Sequence, residues 1–324
     1  MLCSNYGNLF SQGKGFEYES VIDNIPIDDL SIDRQNRIII LDHSNNLIRI
    51  FDSNRTFKKD IKLLEEQSDL YQPKFSSRKL AVDANSNIYC LTLSVEYFGS
   101  LIKFDSSGRF LKRFSSNEKM PHRSERIIDF YISNSNNIYL STFPHGQTQA
   151  GDTPVYVYDS EGNFLEKVGY HIDDSEGNVY RFDKSQKDVA YFTKFTKHTS
   201  VRSKSSKDLS KLADIRLPEK HGMLTEKYGN IWTFAGFDDS NNLYLTNGVV
   251  TKKYNSHLKL IKEYNTSLYE LEKQNIFCDQ RNMKISPNGS IYIFGSKRTP
   301  SLSGTVTENR KETFVLIKVK HNDK

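Results

Sequence analysis

The sequence predicts an all-β fold, a six-bladed β-propeller whose blades are four-stranded antiparallel sheets. Three observations support this prediction. A strand, polar turn and strand recur six times, a second hairpin follows in most copies, and the copies occupy nearly all of the 324 residues. A single four-stranded sheet cannot bury its own faces, so we expect successive copies to pack against each other.

The clearest copy of the repeat runs from Lys79 to Phe114. Its first half consists of an apolar alternation at Leu80 and Val82, a polar turn that Asp83 opens, and the apolar stretch Ile88 to Leu91. Its second half consists of two further stretches joined by a hairpin that Asp105 opens. Asp, Asn and Ser tolerate turn dihedrals and bond their own backbone, so this pattern predicts four short antiparallel strands.

The residue that opens the first turn recurs along the chain at intervals of 50, 50, 50, 55 and 48 residues. These residues are Asp33, Asp83, Ser133, Asp183, Asp238 and Ser286. The hairpin of the second half recurs as an aromatic residue followed by Asp or Asn, with an apolar residue five places further on. The fourth copy matches least well, and we expect its third strand to be short, bulged or partly helical around residues 209–212.

The sixth copy lacks a fourth strand, whereas residues 15–22 alternate between apolar and polar side chains near the amino end. We expect this N-terminal strand to complete the last blade and close the ring, which would remove exposed sheet edges. The predicted organisation is a disordered or anchor-proximal segment at 1–14, a single propeller domain at 15–320 and a tail at 321–324. We expect a monomer.

The amino-acid composition narrows the range of possible functions. The net charge is +5, with acidic and basic residues mixed along most of the chain, which argues against a dedicated nucleic-acid binder. Residues 194–211 are the one basic stretch, and we interpret them as a solvated blade edge.

No apolar run approaches the roughly 20 residues of a membrane span. The three cysteines show neither paired nor metal-type spacing, and Cys90 is predicted to be a buried core thiol.

Cys3 stands at the extreme amino end, in a polar stretch with few structural signals. It resembles the cysteine that receives lipid where the signal peptide of a bacterial lipoprotein ends, although the charged and apolar regions of such a signal are absent from this chain. The alternatives are a lipid anchor at Cys3 and an accidental cysteine. The expected location is the bacterial cell envelope, in the periplasm or at the surface, with the cytoplasm as the alternative.

The repeats resemble the NHL-type (TolB-like) units of six-bladed propellers, as a distant bacterial branch. The matching segments span residues 29–320, and they are Ala81-Val82-Asp83, Asn87-Ile88-Tyr89, Asn46 to Asp52 and Asp159 to Gly162. Propellers of this kind include protein-interaction modules, RNA-binding modules, lactone hydrolases and lyases. The resemblance therefore implies a fold and leaves the function to be argued from a site.

The lengths of the connections point to one end of the sheets. The turns between first and second strands and between third and fourth strands are short, whereas the other connections are long and variable, and long loops on a rigid scaffold commonly form binding sites. We expect a non-catalytic binding protein that uses this long-loop face to recognise a protein, peptide or glycan. The candidate residues are Tyr97, Phe98, His122, Arg123, Phe143, His145, Gln147 and Arg298.

The alternative is a divalent-metal-dependent hydrolase or lyase. Propeller enzymes of the resembled type hold a divalent cation with carboxylate and amide oxygens, which suit Ca²⁺. The candidate ligands are Asp28, Asp29 and Asp129, together with Asp42 and Asn247. The corresponding positions of the other blades do not complete a ring of carboxylates, and no catalytic triad or phosphate-binding loop is recognisable. We therefore expect no cofactor and no catalysis, with Ca²⁺ as the alternative.

Overall fold

The computed structural model describes residues 17–63, 76–93, 99–115, 125–133, 135–144, 155–168, 172–173, 179–184, 189–195, 211–218, 232–279, 282–298 and 312–320. Within these residues the strands form six antiparallel sheets, accompanied by one short helix. Five sheets have four strands each, paired in the order in which they occur along the chain. The chain is therefore an all-β propeller of four-stranded antiparallel blades.

The first three blades follow a separate strand, β1 (Tyr18–Asp23). Blade 1 comprises β2 (Asp29–Ile32), β3 (Ile38–Asp42), β4 (Leu47–Phe51) and β5 (Phe57–Lys62). Blade 2 comprises β6 (Ser76–Val82), β7 (Ile88–Leu93), β8 (Gly99–Phe104) and β9 (Phe110–Ser115). Blade 3 comprises β10 (Glu125–Ile132), β11 (Ile138–Pro144), β12 (Val155–Tyr158) and β13 (Phe164–Val168).

Blade 4 differs from its sequence prediction. It comprises β14 (Ile172–Asp173), β15 (Val179–Lys184), β16 (Val189–Phe195) and β17 (Lys211–Pro218). The two-residue strand β14 was not predicted. In it Ile172 and Asp173 pair with Tyr180 and Val179 at the start of β15. Residues 211–212, for which a helical turn was one expectation, begin a strand that pairs with β16 along its length.

Blade 5 comprises β18 (Thr233–Phe237), β19 (Leu243–Thr246), β20 (Val250–Tyr254) and β21 (Leu260–Asn265). The helix α1 (Leu268–Lys273) follows it. The Ser267 side chain caps this helix by accepting a hydrogen bond from the Glu270 amide. Leu268 and Leu271 bury the inner side of the helix, so this short segment forms part of the core.

The sixth sheet has five strands, which are β22 (Ile276–Phe277), β23 (Met283–Ile285), β24 (Ile291–Arg298), β25 (Glu312–Val319) and β1. Because β24 is eight residues long, it pairs with β23 over one half and with β22 over the other. The expectation of six four-stranded blades is therefore wrong, since the described residues form five such blades and one five-stranded sheet. The expected pairing of the N-terminal strand with the last strand is present, between β1 and β25.

The described residues group into two compact units. Unit 1 holds β1, β18 to β25 and α1, and unit 2 holds β2 to β17. In unit 2 the side chains of β7 alternate between two cores: Ile88 and Cys90 pack with blade 1, whereas Tyr89 and Leu91 pack with blade 3. This period of two explains the apolar run in each second strand, and it confirms that Cys90 is a buried core thiol.

No helix in the described part of the chain is both long enough and apolar enough to cross a membrane.

Candidate functional site at the loop end of blades 1 to 3

Each four-stranded blade has two chemically different ends. Because its strands are antiparallel, the first-to-second and third-to-fourth turns lie at one end, which we call the short-turn end. The second-to-third connections and the connections to neighbouring blades lie at the other end, which we call the loop end. We call the first strand of each blade its inner strand and the fourth its outer strand. In blades 1 to 3 the inner strands are β2, β6 and β10, and they begin at the loop end of unit 2.

The short-turn end is fixed by aspartate side chains. The Asp33 carboxylate accepts the backbone N–H groups of Gln35 and Arg37, both at 2.9 Å. Asp83 does the same in blade 2, with the amides of Asn85 and Asn87 at 2.9 and 2.8 Å. The repeated aspartates are therefore structural, and they hold each inner strand in register with the next strand.

The inner strands carry a row of charged residues, which lies at the first residue of β2 and in the middle part of β6 and β10. Asp29, Lys79 and Asp129 each stand four residues before the turn-opening residue of their own blade, so they occupy equivalent positions. The buried Asp29 carboxylate accepts the Leu80 N–H at 2.8 Å. The Lys79 ammonium contacts Asp129 Oδ1 at 2.5 Å. The row therefore links the inner strands of three successive blades.

Bulges precede two members of this row. The pairing of β6 with β7 shifts between Ser77 and Lys79, and the pairing of β10 with β11 shifts between Ile127 and Asp129. A bulge inserts one residue into a strand and changes the direction in which the following side chains point. The two bulges thus lie immediately before the two side chains that meet, at the same register position in neighbouring blades.

The Lys79–Asp129 pair is accessible to solvent. Its side chains retain 34% and 44% of their exposure. Asp129 Oδ1 also accepts the N–H of Phe130, and the Lys79 ammonium lies 5.8 Å from the centre of the Phe130 ring. An ion pair this exposed typically contributes no more than about 1 kcal/mol to stability. The pair presents an ammonium and a carboxylate side by side at the protein surface.

Asp28 lies beside this row, at the start of blade 1. Its exposed carboxylate accepts the backbone N–H of His43 at 2.6 Å. Nδ1 of His43 is buried and has no hydrogen-bond partner among the described residues. Asp28 therefore places an exposed carboxylate directly before the buried Asp29 in the chain.

The predicted metal ligands already have protein partners. Asp28, Asp29 and Asp129 accept the hydrogen bonds given above. Asp42 pairs with Arg49 at 3.1 Å, and the Asn247 side chain accepts two turn amides from residues 249 and 250. The described ranges contain no group of three or more His, Cys, Asp or Glu residues placed to hold a metal ion. Of these carboxylates, Asp129 pairs with the Lys79 ammonium.

The predicted binding residues fall largely outside the described part of the chain. Those outside it are Tyr97, Phe98, His122, Arg123, His145 and Gln147, and Cys3 is outside it as well. Phe143 and Arg298 lie in strands, where Phe143 pairs with Arg126 and Arg298 pairs with Glu312, but their side chains are not among those described. The structure adds Lys79, which was not among the candidate site residues.

No protein-family model matches the sequence, and no curated protein matches it significantly. Solved structures with a similar chain path include a gluconolactonase from Xanthomonas campestris, at 11% identity and a TM-score of 0.49, covering 94% of this chain and 90% of that one. A calcium-binding regucalcin from Agrobacterium tumefaciens is 13% identical, with a TM-score of 0.45 and coverage of 94% and 95%. A streptogramin B lyase is 9% identical, with a TM-score of 0.44 and coverage of 94% and 98%. Because these TM-scores are below 0.5, the similarities carry no argument about the activity of this protein. The fold assignment rests on the strand pairing described above.

Proposed function

We propose that this protein is a non-catalytic binding protein that recognises a protein, peptide or glycan at the loop end of blades 1 to 3. The observation that supports the proposal is the partly exposed Lys79–Asp129 pair at equivalent positions of neighbouring inner strands. The pair offers donors and acceptors that match peptide groups and sugar hydroxyls. A few polar groups placed on rigid strands are sufficient to orient a ligand.

The energetics of the pair agree with a binding role. Each blade is already held by its turns and by its apolar cores. Because the pair itself contributes so little to stability, the fold does not require a lysine and an aspartate at these positions. The second-to-third connections, which the sequence predicts to be long, leave their blades at the loop end.

Binding to peptide and glycan arrays tests the proposal. We expect the full-length protein to select ligands that the double variant Lys79→Met with Asp129→Asn binds at least about tenfold more weakly, as for loss of a charged hydrogen bond. The control is Lys58→Met with Asp52→Asn, which removes an ion pair of 2.8 Å between the hairpin and the outer strand of blade 1. Equal loss in both variants, or no loss in either, would contradict recognition at the loop end.

We also infer that the pairing of β1 with β25 closes the ring of blades and that the repeats are of the NHL type. The antiparallel register from Tyr18↔Val319 to Asp23↔Val315 supports the closure.

We further propose a location in the bacterial cell envelope, with Cys3 as a lipid attachment site. Metabolic labelling with a fatty acid tests the attachment: wild-type protein should carry label and Cys3→Ser should not, and unlabelled wild-type protein would refute it.

A further inference from the structure

The sequence contains three asparagines that are followed two places later by serine or threonine, with a residue other than proline between them. These triplets are Asn54-Arg55-Thr56, Asn265-Thr266-Ser267 and Asn288-Gly289-Ser290. Such a triplet is the acceptor sequence for the attachment of an oligosaccharide to an asparagine side chain, and it is used in surface loops of secreted proteins. Because a triplet this short also arises by chance, its structural surroundings decide whether it can act as an acceptor.

The first triplet lies in the hairpin between β4 and β5 of blade 1. Asn54 and Thr56 are both exposed. Their backbone N–H groups donate to the Asp52 carboxylate, at 2.9 and 2.8 Å. Within the part of the chain that the structure describes, neither the side-chain amide of Asn54 nor the Thr56 hydroxyl has a hydrogen-bond partner. Both side chains that the acceptor sequence requires are therefore accessible to an enzyme.

The hairpin itself does not require an asparagine and a threonine at these two positions. The equivalent residues of blades 2, 3 and 5 differ in size and charge, and they are Ser107, Glu161 and His257 for Asn54 and Arg109, Asn163 and Lys259 for Thr56. The four hairpins share only the Asp or Asn that accepts the two turn amides, which is Asp52 in blade 1. The fold therefore leaves the residues of the triplet free to serve another purpose.

The other two triplets are held by their own turns. Asn265 Oδ1 accepts the Ser267 N–H at 3.2 Å, and the buried Ser267 side chain caps helix α1. Asn288 Oδ1 accepts the Ser286 hydroxyl at 2.6 Å and the Ser290 N–H at 3.1 Å, and Ser290 is buried as well. Of the three triplets, only the first combines an exposed hydroxyl residue with an asparagine side chain that is not held by its own turn.

We propose that Asn54 is a site of N-linked glycosylation, and that the donor is an oligosaccharide joined through pyrophosphate to a membrane lipid. In the transfer, Asn54 Nδ2 forms a bond to the anomeric carbon of the first sugar and loses one proton to a base of the transferase. The bond between that carbon and the pyrophosphate oxygen breaks, and the lipid pyrophosphate leaves with the electron pair. The hairpin of Asn54 lies at the short-turn end of its blade, so an oligosaccharide there leaves the loop end accessible.

Mass spectrometry of the protein from the organism that produces it tests the proposal. We expect the peptide that contains Asn54 to carry an oligosaccharide and the peptides that contain Asn265 and Asn288 to carry none. In the same cells Asn54→Gln and Thr56→Val should abolish the modification, whereas Thr56→Ser, which keeps the hydroxyl, should retain it. An unmodified Asn54 peptide in the wild-type protein would overturn the proposal.

Transfer to the purified full-length chain by an oligosaccharyltransferase, with a lipid-linked oligosaccharide as donor, separates the sequence from the fold. Synthetic peptides of the three triplets are the matched controls, because they have the same residues without the folded structure. We expect all three peptides to be modified, but only Asn54 in the folded chain. Modification of Asn265 or Asn288 in the folded chain would contradict the selection by structure. Failure of Asn54 to react in the folded chain, or in its own peptide, would overturn its assignment as an acceptor.

Discussion

Replacement of Asp83 by alanine should destabilise the protein strongly. The buried carboxylate accepts the Asn85 and Asn87 amides at 2.9 and 2.8 Å, the Asn87 side-chain amide at 2.8 Å and the Tyr89 hydroxyl at 3.2 Å. Loss of the turn amides should cost about 1 kcal/mol, as for a helix cap. The Tyr89 hydroxyl and the Asn87 side chain lose a charged acceptor, at about 1–2 kcal/mol each. We expect a decrease of about 3–5 kcal/mol in the free energy of unfolding.

Chemical denaturation monitored by fluorescence measures this change. Asp105→Ala is the matched control, because Asp105 accepts the same two turn amides, from Ser107 and Arg109 at 2.9 Å, on an exposed hairpin. It should cost only about 1 kcal/mol. In a double-mutant cycle, Asp83→Ala and Tyr89→Phe should couple by about 1–2 kcal/mol. A loss for Asp83→Ala within 1 kcal/mol of that for Asp105→Ala would refute the role assigned to burial.

Three further changes probe other parts of the fold. Gly108 has a φ of +83°, and an added Cβ would lie 2.6 Å from Ile61 Cδ1 of the preceding blade. Gly108→Ala should therefore lower the free energy of unfolding by about 2 kcal/mol, as measured by chemical denaturation. Arg55 has a positive φ at the same turn position of blade 1, so Arg55→Gly should not lower the free energy of unfolding. The Ser107 hydroxyl and the hairpin amides lower the pKa of Asp105 from 3.8 to about 2, so its ionised form stabilises the folded state above pH 3.8 and this contribution is lost as pH falls through 2. Unfolding midpoints between pH 5 and pH 2 should therefore fall less for Asp105→Asn than for the wild type, and identical profiles would contradict this. Deletion of residues 1–23 removes β1 and should lower the unfolding temperature, whereas deletion of 1–16 should not, and equal temperatures for both would refute a structural role for β1.

The repeat could be predicted from the sequence because its turns have strict chemical requirements. Each turn needs a short polar side chain that accepts its own amides, as Asp33 and Asp83 do. Those side chains recur at a nearly constant interval, so they are recognisable without an alignment. The apolar run of β7 was equally recognisable, because its two faces pack with different neighbouring blades.

The strand bulges could not be predicted, because they arise from register shifts that have no residue signature. Leu111 and Lys58 occupy the same bulge in different blades, although one is apolar and the other charged. The extra strand β22 depends on the length of its partner β24, which sequence patterns do not define. The helix α1 was missed because six residues give little periodicity, although Ser267 followed by Glu270 is a recognisable capping signal.

The loop-end pair was only partly predictable. Asp29 and Asp129 were identified as polar residues in inner strands, but as metal ligands. Lys79 lies between them in the repeat, and its link to Asp129 spans fifty residues. A comparison of the residues four places before each turn would have revealed the three charges. Two of the three residues at this register position, Asp29 and Asp129, were thus candidates, whereas Lys79 at the equivalent position of blade 2 was not.

Hydrogen–deuterium exchange of the full-length protein, with and without an array-selected ligand, tests recognition at the loop end most directly. We predict slower exchange in peptides from β6 and β10 that contain Lys79 and Asp129, and unchanged exchange in the hairpins opened by Asp105 and Asp159. Protection confined to those hairpins, with none around Lys79 and Asp129, would place the ligand at the opposite end and contradict the proposed function.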